Sequence, residues 1–114
     1  MNILQTGKVL GLVAVVDNRN IDQATIAAWH DLIGDLNYAD ALEAVRQHRR
    51  ESTEYLVPAH VRAGVQRIRG ARLAAAPPPL PAVDPDDVAA YQAERRRLLT
   101  QIADGRINPN QIGA

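Results

Sequence analysis

The sequence predicts an all-α protein: a small four-helix N-terminal module, a proline-rich linker and a single C-terminal amphipathic helix. Three observations carry this. Apolar residues recur at three- and four-residue spacing in each periodic segment, and no segment shows the strict alternation of a half-buried strand. The stretch "AAAPPPLPAVDP" at 74–85 holds four prolines within five residues, which removes backbone donors and favours extended polyproline geometry. A last periodic stretch, "VAAYQAERRRLLTQIADG", follows it. The implied organisation is a helical module at 1–73, a linker at 74–84, a helix at 85–104 and a flexible tail at 105–114.

The first helix is expected over 3–16, with Leu4, Val9, Leu12, Val13 and Val16 on its inward face and Thr6 near its start. Gly7 and Gly11 each cost about 1 kcal/mol relative to alanine, so packing must hold this helix. The polar run "DNRN" ends it. Asp22 then caps a second helix, with Ile21 stapled on Ile26. Its stripe is Ile26, Trp29, Leu32 and Ile33, and Gly34 closes it in a left-handed cap. Asn37 opens a third helix with Asp40 in its first turn. Here Tyr38, Ala41, Leu42 and Val45 face inward, and Glu43, Arg46, Arg49 and Arg50 face out.

Pro58 fits the first turn of a fourth helix, where its missing N–H costs nothing. Val61, Val65 and Ile68 form the buried stripe, surrounded by Arg62, Arg67, Arg69 and Arg72. Asp84 and Pro85 are expected to start the fifth helix, with Asp86 and Asp87 on the positive end of its dipole. Gly105 closes it. Val88, Tyr91, Gln92, Arg95, Leu98, Leu99 and Ile102 share one face, with Arg96 in the basic run beside it. An amphipathic helix on a proline tether, with a stripe too small to fold alone, is expected to dock in a partner's groove rather than fold back. Self-association through this helix is a further possibility.

Composition bounds the function. The chain has 114 residues, 46% of them hydrophobic, and no formal net charge, enough for one small domain plus an appendage. It has no cysteine, so disulfides and thiolate metal sites are excluded, and a reducing cytoplasm is the natural setting. The apolar run "VLGLVAVV" at 9–16 is too short to span a bilayer. His30, His48 and His60 are scattered, with no His-x3-His or Glu-x-x-His pair to place two ligands on one helix face, so no metal is expected. Ser52 lies in a charged connector without a nucleophile elbow, and there is no phosphate-cradling glycine loop. No catalytic residue, cofactor or small-molecule substrate is therefore expected.

Charge is segregated along the chain. Residues 1–45 are net −4, 46–72 net +5, 73–94 net −4 and 95–114 net +3. The basic block offers Arg46, Arg49, Arg50, Arg62, Arg67, Arg69 and Arg72 as weak phosphate contacts. A small DNA-binding regulator of a phage or mobile element is thus an alternative reading. The start of the third helix, "NYADALEAV", presents alanines and acids, which disfavours sequence-specific readout through it.

Trp29 and His30 stand next to each other but point about 100° apart on a helix. Trp29 aligns with Ile26 and Ile33 as a core anchor, and His30 falls at the edge of that stripe. Together with Asp40 to Leu42, His48 and "PAHVR" at 58–62, they form an ordered set: a helix ending in Trp-His, a connector, an alanine-rich helix ending near His, then a helix initiated by Pro58. This set resembles the small phage-encoded loaders and inhibitors of the replicative DNA helicase, over roughly residues 3–70. The resemblance implies an all-helical N-terminal module and a C-terminal part that contacts the helicase hexamer, delivering it to an origin complex or restraining it. It also implies a bacterial host cytoplasm, no membrane, and a replication initiator or DNA as further partners. Loader and inhibitor remain equally open.

Overall fold

The computed structural model describes residues 1–17, 19 and 21–107, without the side chain of Val16. Most of the expected flexible tail, two asparagines of the "DNRN" turn and the inward placement of Val16 lie outside the described residues. Those residues form five helices and no strand: α1 (Ile3–Asp17), α2 (Gln23–Ile33), α3 (Tyr38–Glu51), α4 (Pro58–Ala75) and α5 (Val88–Ala103). They gather into two compact units, Met1–Arg67 and a second beginning at Ile68. The boundary falls inside α4.

In the first unit, α1 packs on α2 and α3. The buried face of α1 is Thr6, Val9, Leu10 and Val13, a cleaner helical stripe than the all-apolar one expected. Leu4 is 67% exposed and Leu12 only half-buried. Thr6 takes part in the core rather than capping the helix start. That cap is a reciprocal pair in which Asn2 Oδ1 accepts from the Gln5 N–H at 2.8 Å and Gln5 Oε1 accepts from the Asn2 N–H at 2.9 Å, the capping-box arrangement.

Asp22 and Asn37 cap α2 and α3 as expected, accepting from Thr25 N at 2.7 Å and Asp40 N at 3.0 Å. Ile21 stays 39% exposed. Gly34 corrects its expectation. Its backbone is right-handed, φ −62° and ψ −22°, and what calls for glycine is space, since an added Cβ would lie 2.5 Å from the His30 carbonyl oxygen. On α2, Trp29 and Ile33 are buried while Leu32 is 53% exposed. On α3, Ala41, Ala44 and Val45 are fully covered, and Tyr38 and Leu42 are half-buried. The third and fourth helices meet where Gly64 faces Ala44, with room for no more than hydrogen at the glycine. Val61 and Val65 complete that packing.

In the second unit, α5 folds back on the C-terminal part of α4, against the expectation of a free docking helix. Arg69 pairs with Asp104, and Arg72 Nη1 donates to the Ala103 carbonyl at 2.9 Å. Leu98, Ile102 and Ala103 are the buried residues of α5. The reason is electrostatic as well as apolar. The last turn of α5 carries no basic residue of its own, so Arg72 of α4 donates to its carbonyl end while Arg69 pairs with the carboxylate of its cap residue. Pro79 is buried within the linker. Asp84 and Pro85 do not start the helix. They form a turn in which Asp87 N donates to Asp84 O at 3.1 Å, with aspartate and proline at the positions such turns favour. Asp87 is the cap, accepting from Ala90 N at 3.2 Å. Gly105 closes α5 with φ +72°, as a left-handed C′ glycine should.

Candidate partner-binding surfaces

The Trp29–His30 pair resolves into packing. Trp29 is 8% exposed. The Arg19 guanidinium lies 5.8 Å from its ring centroid and 3.5 Å from that of Tyr55, donates to the Leu56 carbonyl and pairs with Asp17 at 3.0 Å. One cation thus ties the end of α1 to α2 and to the connector before α4. His30 Nδ1 lies 2.9 Å from the buried Thr6 hydroxyl. His48 and His60 stack with centroids 4.5 Å apart. His48 Nε2 donates to the Glu54 carbonyl at 2.8 Å, and His60 Nδ1 accepts from Val57 N at 3.0 Å. These contacts fasten the connector, and Pro58, half-buried, starts α4 beside them. Among the described residues, no group of three or more histidines and carboxylates could hold a metal ion.

The arginine block is largely engaged within the fold. Arg49, expected to face out, turns inward: its Nη2 donates to the Leu12 carbonyl at 3.2 Å and to that of Val13, and it lies 3.7 Å from Asp17. Its stem is long enough to reach the carbonyl end of α1, whose last turn carries no basic residue. Arg62 does the same for α2, donating to Leu32 O at 2.7 Å while gripping both Asp35 oxygens at 2.5 and 3.1 Å. Those donated hydrogen bonds hold the Asp35 carboxyl below the ordinary carboxylate range and push Arg62 up. Arg46 and Arg50 pair with Glu43 at 3.8 and 3.1 Å. Arg69 and Arg72 hold the end of α5, as above. Arg67 is exposed. Foreign arginines therefore satisfy the carbonyl ends of α1, α2 and α5, which is the work a helix C-terminus asks of a cation. This leaves the phosphate-binding alternative with few uncommitted guanidinium groups.

The α5 residues divide. Leu98 and Ile102 are 9% and 2% exposed, and Tyr91 and Leu99 are half-buried. Val88 is 66% exposed, and Gln92, Arg95 and Arg96 are exposed. Two residues of the expected docking stripe are thus already covered.

A surface the sequence reading passed over lies in the first unit. An apolar groove of about 550 Å³ runs along the starts of α1 and α2, between Ile3, Leu4, Gly7, Ile26 and Ala27, with Lys8 at its edge. Ile3 is 52% and Leu4 67% exposed. A second groove of about 390 Å³ is lined by Leu32, Val57, Pro58, Ala59 and Arg62. The available signal was the excess of aliphatic residues on α1: more lie there than one inward stripe can use. No described helix is long and apolar enough to cross a membrane. No family model, curated protein or solved structure matches the chain.

Proposed function

We propose that this chain is a non-enzymatic adaptor of phage DNA replication that binds the replicative helicase hexamer in the bacterial cytoplasm and loads or restrains it. The order of the Trp-His, His48 and Pro58 motifs supports the family reading. The observation that carries binding is the open apolar groove on α1 and α2. Contiguous exposed apolar surface on a small protein marks interaction sites, and here it lies on the four-helix module, while the α5 stripe is partly covered. The groove supports a helicase contact through Ile3, Leu4 and Ile26, with the exposed part of α5 as an accessory.

The test is a binding titration of the full chain against a purified replicative helicase hexamer. The intact protein is expected to bind, and Leu4→Asp, at a position 67% exposed and so neutral for folding, is expected to weaken binding by roughly tenfold or more. No binding by the intact chain removes the helicase reading. Binding that Leu4→Asp leaves unchanged removes the groove from it.

A further inference from the structure

The start of α4 is capped by a side chain whose charge depends on pH. Val57 precedes the helix and His60 is its third residue, the two positions that a capping box joins, ordinarily with glutamate or glutamine at the second. Here a ring nitrogen takes the acceptor's place: the Val57 N–H donates to His60 Nδ1 at 3.0 Å. The other ring nitrogen, Nε2, lies 3.2 Å from Glu54 Oε2. A backbone N–H only donates and an ionised carboxylate only accepts, so the two partners fix the ring as the neutral tautomer with its proton on Nε2. Its titratable and charged neighbours come from three elements. From α3, the His48 ring stacks on it with centroids 4.5 Å apart and donates from Nε2 to the Glu54 carbonyl at 2.8 Å. From the connector it faces the Glu54 carboxylate. Asp17 of α1 and Arg49 of α3 line the polar pocket shared with His48 and Glu54, and Arg62 on α4 itself is turned to Asp35.

We propose that His60 is a proton-operated latch on the connector at 52–57. Neutral, the ring caps α4 and holds Glu54; protonated, it does only the second. A proton on Nδ1 turns that atom from acceptor to donor and sets it against the Val57 N–H, which then has no partner at the helix start. It also places a cation on the face of the His48 ring. The Glu54 carboxylate pulls the other way, but it is 73% exposed, and an exposed ion pair contributes less than a capping hydrogen bond. Release therefore wins as pH falls. The segment it frees carries the buried Leu56, the Tyr55 ring against Arg19 and the Leu56 carbonyl that Arg19 holds. Val57 and Pro58 also line the groove shared with Leu32 and Ala59, so acid reshapes that groove. The latch does not rest on the helicase reading, because every group in it belongs to the chain itself.

Amide hydrogen exchange of the full chain at about pH 7.5 and about pH 5, which bracket the range where histidine changes charge, tests it once the intrinsic pH dependence of exchange is divided out. Protection of the Val57 amide is expected to fall roughly tenfold on acidification, the size of one lost hydrogen bond, while Ala44 and Val45 keep theirs. His60→Gln restores the acceptor that a capping box ordinarily uses, on a group that does not titrate, and should hold Val57 protection constant to within about twofold. His60→Ala should leave Val57 poorly protected at both values. Circular dichroism checks that the helices persist in each variant, and the pH response of the native chain needs no variant. Nitrogen NMR of the native ring should place its proton on Nε2 at the higher pH. Native protection equal at the two values, a fall that His60→Gln shares, native-like protection in His60→Ala, a proton on Nδ1 at the higher pH, or a loss that spreads to Ala44 and Val45 each overturn the proposal.

Discussion

Trp29 and His30 differ in what their removal leaves behind. Trp29 is 8% exposed beneath the Arg19 guanidinium, so Trp29→Ala opens a cavity and strips a cation of its aromatic partner. That change should cost about 3 to 5 kcal/mol. His30→Ala forfeits one hydrogen bond to Thr6 and should cost about 1 to 2 kcal/mol. Urea midpoints compare the two, and equal midpoints would contradict the ordering. A different residue-scale effect is set by Asp35. Its carboxyl is held below the ordinary aspartate range by hydrogen bonds from Arg62, so its contribution is present above that range and is lost as pH falls through the lower folded value. The side chain is 65% exposed, which limits the pair to about 0.5 kcal/mol. Between pH 6 and pH 3 the native chain should therefore lose more stability than Asp35→Asn, by about that amount. Parallel profiles would show that Arg62 serves only the Leu32 carbonyl. These residues also mark what was legible beforehand. The core role of Trp29 followed from its spacing to Ile26 and Ile33. The roles of Arg19 and Arg49 did not, because each reaches backbone carbonyls 36 or 37 positions away, and no periodicity encodes such a partner.

At the level of the elements, helix starts were easier to read than helix faces. Asp22 and Asn37 cap through bonds to residues three positions on, an interaction wholly local in sequence. The "DPDD" run held two local solutions, a turn and a cap; the turn takes Asp84 and Pro85, which moves the start of α5 to Val88. The face of α1 was misjudged because it is aliphatic on nearly every side. Only the choice of neighbours decides that Thr6 and Leu10 go in and Leu4 stays out. Glycines on α4 give a test at this scale, since two of them meet opposite surroundings. A Cβ at Gly64 would sit 2.7 Å from the Ala44 Cβ, whereas one at Gly70 would meet nothing within 4 Å. Gly64→Ala should then force α3 and α4 apart at a cost of about 1 to 3 kcal/mol. Gly70→Ala should stabilise the same helix by about 0.5 to 1 kcal/mol. Thermal unfolding of the two variants measures both. Shifts of the same sign would show that helix propensity, not close packing, governs α4.

Across the whole molecule, the two units bury very different amounts of apolar material. The first carries Val9, Leu10, Val13, Trp29, Ile33, Val45, Leu56, Val61 and Val65 in its core. The second relies on Leu98, Ile102 and Ala103 together with the arginine contacts to the end of α5. Regions with few buried contacts open at lower free energy than the global transition. Amides of Leu98 to Ala103 should therefore exchange with solvent at least roughly tenfold faster than those of Ala44 and Val45. Arg69→Ala removes the Asp104 partner and should speed α5 exchange further, while the amides of α3 keep their native rates. The same opening is what uncovers Leu98 and Ile102, so its frequency sets how often the full apolar stripe of α5 is accessible to anything outside the chain. Equal protection across α3 and α5, or an Arg69→Ala effect that spreads to α3, would mean that the chain opens as one cooperative body and that the stripe is never separately available.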